Sequence, residues 1–117
     1  GKMFDLTSGF GPIIVTEDEL LDPYKLHLET RIDGQLVHSA PISSLRHSIE
    51  DTIVYISSGV TLFPGDIICM GIPTENCFKS ERILQKDERV ETTISGIGAL
   101  SNLIKPEPTE PRTMGCC

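Results

Sequence analysis

No apolar run in this sequence approaches the length of a membrane span, and residues 1–20 do not take the charged-then-apolar form of a leader. There is no basic cluster either. Ten Lys and Arg stand against 17 Asp and Glu, a net charge of −7, so nucleic acid and anionic membrane are poor partners. The four cysteines, Cys69, Cys77, Cys116 and Cys117, form neither a zinc spacing nor a disulfide framework. Cys69 sits inside an apolar run and reads as a small buried hydrophobe. The terminal pair is not a C-a-a-X box, because Met114 stands fourth from the end, and Asp5 occupies the place where a myristoylation signal needs Ser or Thr. The expectation left is a soluble, cytoplasmic protein, with a mitochondrial location the alternative for a longer form.

At 117 residues the chain is one domain at most. It opens at Gly1, inside a structured-looking motif, and reads as a piece of something longer. Its organising stretch is residues 61–73, TLFPGDIICMGIP. Pro64 presets one turn dihedral and Gly65 can take a positive one, so Pro64-Gly65-Asp66 predicts a tight turn. Residues 67–70 then form a short, isoleucine-rich run bounded by turn signals, which predicts a buried strand. Gly71-Ile72-Pro73 closes it where the backbone can bend sharply or let another group come close.

The remaining elements follow in order. Thr16 with Glu19 fits a capping box and predicts a helix of about two turns ending at Asp22-Pro23. Residues 26–32 alternate, with Leu26, Leu28, Thr30 and Ile32 on one face and His27, Glu29 and Arg31 on the other. Asp33-Gly34 is the strongest hairpin signal in the chain. A two-residue loop there pairs Ile32 with Gln35 and sets Glu29 opposite His38, on the face that also carries His27. That trio fits either a metal site or a wetted, charge-compatible sheet face. Ser48 and Asp51 form a second capping box, followed by an Ile49, Ile53, Ile56 stripe read as core-facing, with Gly59 as a left-handed stop. Residues 89–95 alternate again, Val90, Thr92 and Ile94 inward, and residues 96–100 turn into a last short strand. The fold class is therefore β-rich α+β. Residues 1–104 form the domain, and 105–117 a tail too polar to offset its ordering entropy.

Three blocks together resemble the C-terminal part of the fumarylacetoacetate hydrolase family. Gly1-Lys2-Met3-Phe4-Asp5 with Gly11-Pro12-Ile13-Ile14-Val15-Thr16 is similar to the pattern G-K-S-F-D…G-P-W-x-V-T. Residues 61–68 with Gly71-Ile72-Pro73 are similar to T-L-x-P-G-D-x-I-x-T-G-T-P. Residues 94–102 are similar to I-x-G-I-G-x-L-x-N. The resemblance implies a rolled, mixed β-sandwich with one main helix, incomplete in this chain, and a homo-oligomer as a plausible assembly.

It also implies a chemistry. Family members cleave or rearrange small 2-oxo or 1,3-dicarbonyl acids with a divalent ion, usually Mg²⁺, whose acidic ligands lie upstream of the lysine block and so outside this chain. In the hydrolases a His–Glu pair, also upstream, activates water. The resemblance makes Lys2 the catalytic cation that stabilises a developing enolate or oxyanion, and Gly71, Ile72 and Pro73 the substrate-binding bend. Departures accompany these matches. Met3 replaces the usual serine, and Ile72 replaces a threonine whose hydroxyl meets substrate. Lys86-Asp87-Glu88 replaces a second Pro-Gly-Asp turn. The function implied is a portion of a metal-dependent C–C hydrolase or decarboxylase, inactive as this chain alone. The alternative is a non-catalytic, decayed or truncated relative acting as a binding or oligomerisation module.

Overall fold

A computed structural model describes residues 8–20, 22–73 and 83–106. It contains β1 (His27–Ile32), β2 (Gln35–Pro41), α1 (Ile49–Ser57), β3 (Arg89–Ile94) and β4 (Gly98–Leu103). The strands form one antiparallel sheet in the order β2-β1-β3-β4. The predicted hairpin is present. Asp33 and Gly34 both take positive φ, 48° and 81°, as a two-residue primed turn requires, and Ile32 pairs with Gln35. The Asp33 carboxylate also accepts from the Arg89 N–H at 2.9 Å, tying the turn to the start of β3.

Beyond that turn the register departs from the expected one. Arg31 pairs with Leu36, but Thr30 pairs with His38, so Val37 is an extra residue in β2, a β-bulge. Because side chains alternate, one inserted residue moves everything after it to the opposite face. Glu29 therefore faces Ser39, and His38 joins Thr30, Leu28 and Ala40 on the inner face. Ile32 and Ala40 are the buried hydrophobic side chains among the described residues, and both lie on that face. Val90, Thr92 and Ile94 extend it through β3 as expected, paired with Ile32, Thr30 and Leu28.

Several local expectations are corrected. Residues 67–70 carry no strand pairing: Ile67 is 67% exposed, and Cys69 is exposed rather than buried. The residues around Thr16 make a single turn, with the Glu19 and Leu20 N–H groups on the Thr16 carbonyl, and not a two-turn helix. Asp22 instead caps a 3-10 turn at Pro23–Lys25 by accepting from the Tyr24 N–H at 3.0 Å. Gly59 is not in the left-handed region, and α1 ends in a right-handed turn at Ser58. No side chain of α1 is buried, so the isoleucine stripe covers no core within the described residues. The turn at Pro64 holds: Gly65 has φ +99°, and the Asp66 N–H reaches the Phe63 carbonyl at 3.0 Å. Residues 107–117, most of the expected tail, lie outside the described residues.

The start of α1 is well defined. Ser48 Oγ accepts from the Asp51 N–H at 2.9 Å, as the capping box predicts. Tyr24 secures the same end, its hydroxyl accepting from the Ile49 N–H at 2.8 Å and donating to Glu50. That hydrogen bond holds the Glu50 carboxyl below its usual range and raises the Tyr24 hydroxyl above its own. Replacing Ser48 with Ala is expected to cost about 1 kcal/mol, measured by urea unfolding. Tyr24→Phe gives a pH signature. A depressed carboxyl stabilises the fold above its unfolded range and loses that contribution as pH falls through the folded value. A raised hydroxyl stabilises below its unfolded range and loses that contribution as pH rises through its folded value. The gap in thermal midpoint between wild type and Tyr24→Phe should be widest between about pH 5 and 10 and narrow on both sides.

Candidate functional site

The bend at residues 71–73 is built from three different requirements. Gly71 has φ +82°, a conformation L side chains rarely adopt, and a Cβ there would meet nothing within 4 Å. Ile72 is 48% exposed and projects from the bend. Pro73 is fully buried and acts as the anchor. Its carbonyl lies 3.1 Å from His38 Nε2, and because a carbonyl can only accept, that nitrogen carries the proton. His38 is itself only 3% exposed. The bulge at Val37 turns the imidazole inward, and the imidazole holds the bend against the sheet.

The opposite edge of the same face carries the segment that follows the Lys2 block. A Cβ on Gly9 would lie 2.9 Å from Asn102 Oδ1, and one on Gly98 would lie 3.7 Å from Pro12 Cγ. Asn102 and Gly98 pair with Val90 and Ile94, so both belong to the inner face. Residues 9–12 thus run along β4. No side chain fits at Gly9 without displacing the Asn102 amide. A row His38, Thr30, Thr92, Leu100 crosses the sheet between the two anchors. Three strand spacings, about 14 Å, separate β2 from β4. The arrangement is a floor with two threonines at its centre, flanked by the bend at residues 71–73 on one edge and the residue 9–12 segment on the other. Lys2 itself, with Met3, lies outside the described residues.

The metal alternative built on His27, Glu29 and His38 is corrected by the bulge. His27 and Glu29 stay on the outer face, where His27 Nε2 lies 2.7 Å from Ser39 Oγ and Glu29 forms an ion pair with Arg31 at 3.0 Å. His38 is on the other side of the sheet. Among the described residues no group of three or more His, Cys, Asp or Glu could hold a metal ion. The His38–Pro73 link was not anticipated from sequence. The available signal was the adjacent Leu36-Val37 pair, which breaks the alternation of β2.

Residues 1–105 match the family model described as fumarylacetoacetate hydrolase, C-terminal. The chain belongs to the fumarylacetoacetate hydrolase family. It is 37% identical over 106 residues to oxaloacetate tautomerase YisK of Bacillus subtilis, covering 89% of this chain and 35% of that protein. Among solved structures, a fumarylacetoacetate hydrolase from Exiguobacterium antarcticum matches with a TM-score of 0.75 and 35% identity, over 84% of this chain and 36% of that one. Maleylpyruvate hydrolase from Sphingobium sp. SYK-6, solved with manganese(II) and pyruvate, matches with a TM-score of 0.71 and 27% identity, over 81% and 34%. The four-stranded antiparallel sheet with one helix is thus a part of this family's fold. The chain spans about a third of the length of the relatives it matches.

Replacing His38 with Leu leaves the Pro73 carbonyl buried without this donor. The expected loss is about 1–3 kcal/mol of unfolding free energy by urea denaturation. His38→Gln, whose amide can donate to the same carbonyl, should recover part of it.

Proposed function

We propose that this chain supplies the C-terminal portion of a catalytic domain that stabilises the enol or enolate of a small 2-oxo acid. Tautomerisation of oxaloacetate and hydrolysis of a dicarbonyl acid both pass through such a species, so one oxyanion site serves both outcomes. In this reading Lys2 is the cation beside the developing oxyanion. The bend at Gly71, Ile72 and Pro73 orients the substrate, and His38 positions the bend. A divalent cation, Mg²⁺ or Mn²⁺, when bound would polarise the substrate's oxygens, and its ligands belong to polypeptide outside the described residues. The observation that supports the reading is the common anchoring of the bend and the residue 9–12 segment on one face of the sheet.

A second reading draws on Ile72. Its exposed hydrocarbon stands where a hydroxyl is expected, and a carboxylate arriving there would lack a hydrogen-bond partner. On that reading the chain is a binding or oligomerisation module without turnover.

The two separate in a chimera that joins the first two-thirds of the Bacillus subtilis tautomerase to this chain. Oxaloacetate tautomerisation by the purified chimera with Mg²⁺, reduced about 100-fold or more in kcat by Lys2→Met, is the expected result. A soluble chimera with no turnover would favour the second reading. Ile72→Thr should lower KM about fivefold to tenfold with little change in kcat. The 117 residues alone, given Mg²⁺ and oxaloacetate, should show no turnover above the uncatalysed rate.

A further inference from the structure

The Asp33-Gly34 turn carries a reactivity that the hairpin itself does not use. In an aspartyl-glycyl pair the side-chain carboxyl carbon and the next backbone nitrogen can close a five-membered ring, and glycine puts no Cβ in the way. Both residues are exposed here, and a Cβ on Gly34 would meet nothing within 4 Å among the described residues. What restrains the pair is a double link to β3. The Asp33 N–H donates to the Arg89 carbonyl at 2.9 Å, and the Asp33 carboxylate accepts from the Arg89 N–H at 2.9 Å. β3 lies on the side of β1 away from β2, whereas Gly34 leads into β2. The carboxylate is therefore drawn toward β3, while the Gly34 nitrogen belongs to the arm that turns the other way. The Arg31 guanidinium also donates to the Gly34 carbonyl at 3.4 Å, a weaker restraint on the same turn.

We propose that Asp33 is a self-modification site, protected while the turn is docked on β3 and converted to isoaspartate when it leaves. In the open turn, with the carboxyl protonated, the Gly34 nitrogen attacks Asp33 Cγ. A carboxyl oxygen leaves as water, taking the nitrogen's proton with it, and a cyclic imide forms. Water then adds at the main-chain carbonyl of Asp33, and the bond from that carbonyl to the Gly34 nitrogen breaks. The main-chain carbonyl becomes a free carboxylate, and the peptide link now runs through Cγ. One water is lost and one regained, and nothing is oxidised or reduced. The loop backbone gains one carbon. Loop length and turn geometry set the register of a hairpin, and this register carries the bulge that places His38 inward. Isomerisation at the turn thereby releases the bond from His38 to the Pro73 carbonyl.

Isomerisation and exchange of the Arg89 N–H then pass through one opening, and the 117-residue chain at neutral pH tests this. Trypsin releases residues 32–46 as one peptide, in which electron-transfer fragmentation distinguishes isoaspartate from aspartate. The chain should isomerise about tenfold or more slowly than the same peptide incubated free, and that ratio should match the hydrogen-exchange protection of the Arg89 N–H within about threefold. Arg89→Pro deletes this N–H at the first residue of a strand, where proline is tolerated, and should raise the rate about tenfold. Arg89→Ala keeps the N–H and should leave the rate unchanged. A chain that isomerises as fast as the free peptide, or at a rate unrelated to Arg89 protection, overturns the proposal. So does an Arg89→Pro chain with intact sheet circular dichroism and an unaltered rate; if that variant does not fold, the wild-type comparison decides. In the purified isoaspartyl chain the exchange-protected His38 Nε2 proton should vanish from the nuclear magnetic resonance spectrum. Its persistence would contradict the link from the turn to the bend.

Discussion

The hydrogen bond from the His38 imidazole to the Pro73 carbonyl joins the sheet to the bend at residues 71–73. On one side is a sheet whose geometry follows from local sequence. On the other is a bend with little regular structure of its own, since residues 66–73 form no strand or helix. An exposed bend of that kind has few means of holding one conformation. Burying a proline and satisfying its carbonyl from a side chain that is itself buried removes that freedom at one end, while Gly71 supplies the turn at the other. The side chain of Ile72 is left between them, presented outward.

That bond depends on a single inserted residue. Without the bulge at Val37, His38 would stand opposite Glu29 among the polar side chains of the outer face. With it, His38 lies on the inner face in a row with Thr30, Thr92 and Leu100. The same face carries Asn102 and Gly98 at its far edge, where the segment following the lysine block is seated. One sheet face thereby serves as a common reference for two stretches about 60 residues apart in sequence, which is how a sheet can assemble a site from loops.

Much of the fold was legible because its causes are local. The Asp33-Gly34 turn, the Ser48 cap, the Pro64-Gly65 turn and the inward set Val90, Thr92, Ile94 each follow from a few neighbouring residues. The failures have a common origin in what lies across from a segment. An isoleucine-rich run at residues 67–70 reads as a strand only if another strand pairs with it, and none does among the described residues. The Ile49, Ile53, Ile56 stripe reads as core-facing only if a core covers it. The bulge is likewise a tertiary choice: placing His38 inward trades regular pairing for a bond to Pro73, and alternation by itself favours the regular register. The bend at residues 71–73 was visible from Gly and Pro, whereas the residue that holds it was not.

We propose that Lys2 and the bend at residues 71–73 act on one substrate. An experimental structure of the chimera bound to oxalate, a stable mimic of a 2-oxo acid enolate, tests it most directly. The expected result is a ligand above Thr30 and Thr92, within hydrogen-bonding reach of Lys2 Nζ and in contact with Gly71 and Ile72. Oxalate bound elsewhere, or Lys2 directed away with no cleft between it and Pro73, would contradict it.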